Sequence, residues 1–160
     1  RLNYKKASKT FEERLYKVKL TSKGRYAVMA IADMAAQGSG SLIPLTDISR
    51  RQGISLNYLE QLFAKLRRAG LVDSYRGSSG GYVLAHSAKN LTLNKIIHAV
   101  DENIQAHGCS PSIKKACTGK ADLCLTHNLW GALENHIEDF LVSVTVHDVI
   151  SGNLNDNGLG

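Results

Sequence analysis

Residues 55–85, SLNYLEQLFAKLRRAGLVDSYRGSSGGYVLA, constrain the fold more than any other stretch of the chain. Leu59, Leu62, Phe63 and Leu66 recur at spacings of 3, 1 and 3, the apolar stripe of an amphipathic helix. Ser55 is placed to cap its start, Arg67 and Arg68 suit the negative end of its dipole, and Gly70 stops it. Upstream, Pro44 opens a short helix carrying Leu45 and Ile48 inward, and Arg50-Arg51-Gln52-Gly53 turns the chain toward Ser55. Two short helices around a glycine-containing turn make a helix-turn-helix. Beyond it, two runs rich in Val, Tyr and Leu flank Gly77-Ser78-Ser79-Gly80-Gly81, the pattern of a β-hairpin in the position of a wing.

The remaining periodicities fill in the frame. Ala27, Ala30, Ile31, Met34 and Ala35 mark a helix before the helix-turn-helix, and Leu93, Ile96, Ile97 and Val100 mark one after it, with Thr92 as its cap. Residues 101–125 lose all period, as a functional loop does. Thr126 to Val144 then form a long helix, and Thr145 to Asp148 resemble a capping box that opens a last short one. The fold expected is mainly α with a small β-hairpin: a winged helix-turn-helix domain plus a long dimerisation helix. Residues 1–18 read as an N-terminal tail and 19–90 as the winged-helix domain. Residues 91–151 read as a ligand loop with the dimerisation helix, and 152–160 as a C-terminal tail. On the long helix, Leu133, Ile137, Phe140, Leu141 and Val144 are expected to meet their counterparts across a two-fold axis in a homodimer.

Charge is unevenly spread. Residues 1–85 hold 15 Lys and Arg against 6 Asp and Glu, a balance of +9, whereas residues 86–160 hold 5 against 8, a balance of −3. A basic front suits a polyanion, and a helix-turn-helix makes that polyanion double-stranded DNA. The polar face at the start of the second helix carries Ser55, Asn57, Tyr58, Glu60 and Gln61, where side chains meet base edges in the major groove. Asn and Gln pair with adenine, and Glu accepts from the cytosine amino group while repelling phosphate, so Glu60 is read as a discriminator. Lys23, Arg25 and Arg50 are expected on phosphates, and Arg76 at the wing in a minor groove. No apolar run approaches the roughly 18 residues of a membrane span. The first residues lack the apolar core of a secretory signal, so a cytoplasmic location without membrane contact is expected. Neither a nucleophile–base pair nor a P-loop is evident, and the protein is not expected to be an enzyme.

Three cysteines, Cys109, Cys117 and Cys124, fall within 16 residues, followed by His127. An odd number of cysteines in such a chain argues for ligation over a disulfide framework. Thiolate and imidazole suit zinc as well as a 2Fe–2S cluster. The wide gaps favour the larger centre, since structural zinc generally uses tight Cys-x2–4-Cys knuckles. His107 is a competing imidazole, but its place two residues before Cys109 leaves little room to wrap a cluster. His86, His98, His136 and His147 read as structural or solvent-facing. A zinc-stabilised winged-helix interaction module, without a sensing role, is the alternative reading.

The segments KLTSKGRYAVMAIADMA, ISLNYLEQLFAKLRRAGLVDSYRG, GGYVLA and CLTHNLW together resemble the IscR-type iron–sulfur cluster transcriptional regulators of bacteria, from about Lys19 to about Gly152. The resemblance implies a cytoplasmic winged-helix homodimer that represses the cluster-assembly operon and acts at other promoters, on pseudo-palindromic operators. It implies a 2Fe–2S cluster on Cys109, Cys117, Cys124 and His127, with the cluster-assembly machinery as donor. It further implies that cluster-bearing and apo forms read different classes of site, with Glu60 as the switching residue among Ser55, Tyr58 and Gln61, and Arg76 as the wing arginine. This chain departs from the family in its longer first two cysteine gaps and its GSSGG wing. It also has Val18 where a starting Met is expected.

Overall fold

A computed structural model of the chain describes residues 22–101 and 125–154. The order is α1 (Ser22–Ala36), α2 (Leu45–Gln52), α3 (Leu56–Arg68), β1 (Val72–Tyr75), β2 (Gly81–Leu84), a 3-10 turn (Ala88–Asn90), α4 (Leu93–Ala99), α5 (His127–Ser143) and α6 (Val146–Ser151). This is the mainly helical, winged helix-turn-helix architecture that the periodicities indicate. No helix among the described residues is long and apolar enough to cross a membrane.

α1 lies at the centre and packs on α2, α4 and α6. Its buried residues, Gly24, Ala27, Ala30, Ile31 and Met34, are mostly small, which lets neighbouring helices approach closely. The recognition-helix stripe Leu59, Leu62, Phe63 and Leu66 enters the same core, each residue at most 3% exposed. Burying such side chains contributes about 1.5–3 kcal/mol apiece. Leu91, Ile96, Val100 and Val146 belong to that core as well, so residues on both sides of position 90 share it.

Turn chemistry sets the angle between α2 and α3. Gly53 takes a left-handed conformation (φ 66°), which glycine adopts without a Cβ penalty, and its amide donates to the Ser49 carbonyl. Ser55 then caps α3, its hydroxyl accepting from the Tyr58 amide at 3.3 Å. The capping box of Thr145 and Asp148 opens α6. Just before it the chain pairs with the start of α4. The Leu93 amide donates to the Val144 carbonyl at 3.0 Å and the Val146 amide to the Leu91 carbonyl at 2.8 Å.

One polar interaction is built into this core. Asp33 of α1 is 7% exposed. It accepts from Arg51 Nη2 at 2.7 Å and Nε at 3.0 Å, and from Gln52 Nε2 at 2.8 Å, fixing α1 to the end of α2. Burial alone raises its carboxyl pKa, but the hydrogen bonds from Arg51 and Gln52, with the Arg51 charge, outweigh that and hold it below its ordinary value. Its stabilisation is therefore complete above the ordinary aspartate value near about 4 and is lost as pH falls through the lower native value. Asp33→Ala should cost about 2–3 kcal/mol at pH 7, because it strands a partly buried guanidinium. Urea midpoints of wild type and variant should draw together as pH drops below about 4. A gap that does not change with pH contradicts this role.

Candidate nucleic-acid interface

The exposed face of α3 carries Asn57, Glu60, Gln61 and Ala64, with Ser55 exposed at its cap and Tyr58 half-buried. Tyr58 meets the edge of Tyr26 on α1, with ring centroids 5.7 Å apart at 88°. The Arg25 guanidinium lies 5.5 Å from the Tyr26 ring centre. This stack brings Arg25 beside the start of α3, and nothing in the local periodicity of either helix marks Tyr26 for that role. Lys23 is exposed on the first turn of α1. Arg50 is 77% exposed, with Nη2 3.3 Å from Asp47 on its own helix. Its neighbour Arg51 is engaged by Asp33 through Nε and Nη2.

The wing is pinned to the buried side and the C-terminal end of α3. β1 and β2 pair antiparallel in the register Val72↔Leu84 to Tyr75↔Gly81. Tyr82 packs edge-on against Phe63 of α3, centroids 4.9 Å apart. A third backbone segment joins the hairpin: Ile43 and Tyr82 exchange two amide–carbonyl bonds of 2.9 Å each. Arg67 Nη1 also donates to Ser74 Oγ at 3.0 Å, tying the end of α3 to β1. Arg76 is exposed beyond β1 and lines an open concavity with Leu42, Tyr75, Gly77 and Ser78. The wing is thus fixed to α3, and Lys23, Arg25, Arg50 and Arg76 are all exposed.

The ligand residues fall differently. Cys109, Cys117 and Cys124 lie outside the described residues, as do His107 and the tails at 1–18 and 155–160. His127 is the first residue of α5. With three of the four donors outside, the described residues contain no cluster of three or more metal-ligating side chains. On α5, Leu133 and Ile137 are half-buried and Phe140 is 40% exposed, but Leu141 and, just past the helix end, Val144 are 8% and 0% exposed. Those last two are buried in the protomer itself, because α5 packs its other side on α4. Exposed Leu129 and Trp130 extend the outward apolar stripe instead. His98 is half exposed and sits 3.1 Å from Glu138 of α5.

A helix-turn-helix with a pinned wing and a basic head defines the winged-helix class of DNA-binding protein. The family model of Rrf2, described as "Iron-dependent Transcriptional regulator", matches residues 20–152. The chain belongs to the Rrf2 family and is a regulator of the IscR type. It is 52% identical over 136 residues to the HTH-type transcriptional regulator IscR of Vibrio vulnificus, covering 85% of this chain and 79% of that one. It is 48% identical over 134 residues to IscR of Pectobacterium carotovorum, covering 84% and 80%. Among solved structures it resembles T. potens IscR, with TM-score 0.67, 33% identity and coverage of 89% and 92%. It also resembles CymR, the global cysteine regulator of B. subtilis, with TM-score 0.69, 29% identity and coverage of 84% and 97%. The protein is accordingly a DNA-binding transcriptional regulator and not an enzyme.

The wing's attachment has a direct test. A Cβ on Gly81 comes within 2.7 Å of the Ile43 carbonyl carbon and oxygen, backbone atoms that cannot swing away. Gly81→Ala should therefore cost about 1–3 kcal/mol. It should also remove the hydrogen-exchange protection of the Ile43 and Tyr82 amides. Unchanged protection contradicts the close backbone approach.

Proposed function

We propose that the protein senses iron–sulfur cluster status through a 2Fe–2S cluster on Cys109, Cys117, Cys124 and His127, and represses cluster-assembly genes in response. The observation that carries this reading is the place of His127. It begins α5 three residues after Cys124, on the helix whose outward stripe of Leu129, Leu133, Ile137 and Phe140 suits a two-fold mate. Ligand site and dimer seam are then one element.

The donor set fits the cluster. Two ferric ions and two sulfides with three thiolates and a neutral imidazole carry −1, against −2 for four thiolates, which favours reduction. Thr126 makes no side-chain cap bond to the α5 amides, and its hydroxyl accepts from Trp130 Nε1 at 3.2 Å. The positive end of the α5 dipole adjoins His127 and suits the net negative charge of such a site. When bound, the cluster supplies a redox-active centre and a covalent tie between α5 and the segment before it.

The chain's own residues do the reading. α5 pairs with its mate and sets two α3 helices about one DNA turn apart on a pseudo-palindromic operator. Asn57 and Gln61 pair with adenine edges, Glu60 accepts from cytosine and repels other contacts, and Ser55 and Tyr58 hold the helix start. Lys23, Arg25 and Arg50 hold phosphates, and Arg76 enters the minor groove. Ligation shifts the dimer toward the geometry that reads one class of operator, and the apo form reads another. The assembly machinery donates the cluster, so cluster supply feeds back on cluster synthesis.

Replacing all three cysteines by Ala should lower affinity for one operator class about tenfold or more while sparing the other, in binding titrations at fixed salt. Equal loss on both classes contradicts switching. Glu60→Ala should relax the discrimination between classes by about tenfold while overall binding survives, the scale of one base-edge contact. Collapse of binding to every sequence would instead make Glu60 a structural residue.

A further inference from the structure

α3 and α5 are joined through α4 by two sets of polar contacts. On one side, Glu138 of α5 accepts a hydrogen bond from Asn94 Nδ2 and meets His98 Nε2 at 3.1 Å, both residues of α4. On the other, Lys65 Nζ in the last turn of α3 donates to Asp101 Oδ2 at 2.7 Å, just past the end of α4. Asp101 is also the one described non-glycine residue with a left-handed backbone, φ 56°. Asp is among the few residues that tolerate this conformation, and the Lys65 contact gives the direction of its carboxylate. Its amide donates to the His98 carbonyl at 3.1 Å, closing α4 beneath it, while Val100 is fully buried. Lys65 holds the Asp101 carboxyl below its ordinary value, with the charges of Lys23 and Arg68 adding to the effect. Asp101 therefore faces cations of both α1 and α3.

We infer that Asp101 is a positioning residue that couples α5, and with it His127, to the recognition helix: Glu138 ties α5 to α4, and the Asp101–Lys65 pair ties the end of α4 to α3. The inference rests on the proposal that cluster ligation changes operator choice, and it names the contacts through which that change reaches α3. A shift of α5 moves Glu138, hence α4 through Asn94 and His98, hence Asp101 and the C-terminal turn of α3. Each link is a directional polar contact between separate elements, and the claim is one of energetic coupling.

The test is a double-mutant cycle on the full-length protein, with Asp101→Asn and Lys65→Gln. Asn keeps the left-handed backbone accessible and removes the charge. Affinities for both operator classes are measured for the anaerobic cluster-loaded form and the apo form, with iron and sulfide assayed on each sample. The operator-class ratio between loaded and apo wild type defines the switch. Asp101→Asn should shrink the switch about threefold, the scale of one exposed ion pair, with cluster content and visible spectrum unchanged. Lys65→Gln should do the same, and the double variant no more than either alone. A full switch in Asp101→Asn overturns the coupling and leaves the proposed function standing. A uniform rise in affinity for all DNA in both forms also overturns it, since Asp101 then merely masks a cation. A wild type without any switch defeats the proposed function, and this inference with it.

Discussion

Leu91, Ile96, Val100 and Val146 pack into the same apolar cluster as Ala27, Ile31, Leu59 and Phe63. That continuity of core ties the segment after the wing to the DNA-reading head. The cost of separating them is the cost of exposing fully buried side chains, about 1.5–3 kcal/mol each. Small residues on α1 make the close approach of α4 and α6 possible, and the paired backbone around residues 91–93 and 144–146 locks it. The recognition helix cannot reorient without disturbing neighbours that run on toward α5.

Charge is partitioned on this frame with some economy. Arg51 and Lys65 are engaged by Asp33 and Asp101, one inside the core and one at its surface. Arg25, Arg50 and Arg76 stay exposed, and the proposed function uses the first two on phosphates and Arg76 in the minor groove. Glu60 is the acidic group on the exposed face of α3, which suits discrimination better than affinity.

Most helices and the wing were legible in the sequence because their signals are local. The 3, 1, 3 spacing of Leu59, Leu62, Phe63 and Leu66, the Gly53 turn, the Ser55 cap and the Thr145 capping box each act within a few residues. What escaped is non-local. The Ile43–Tyr82 bridge is a single residue pair without periodicity, and the Asp33–Arg51 pair joins positions 18 apart. Tyr26 looks like an ordinary half-buried helix residue until Tyr58 packs against it. The stripe on α5 shows the subtler limit. Periodicity says that a face is covered but not by what, and Leu141 and Val144 prove to be covered by the protomer itself. The cysteines lie outside the described residues; reading them as ligands rests on residue type and crowding, and the proposal that they hold a cluster rests on chemistry and on similarity to IscR-type relatives.

In the proposed function, Cys109, Cys117, Cys124 and His127 hold an iron–sulfur centre at the start of the helix proposed to pair the subunits. Iron, acid-labile sulfide and zinc assayed together on protein purified without oxygen test it most directly. Two irons and two sulfides per chain are expected, lost on replacing the cysteines. Colourless protein carrying zinc and neither iron nor sulfide contradicts it.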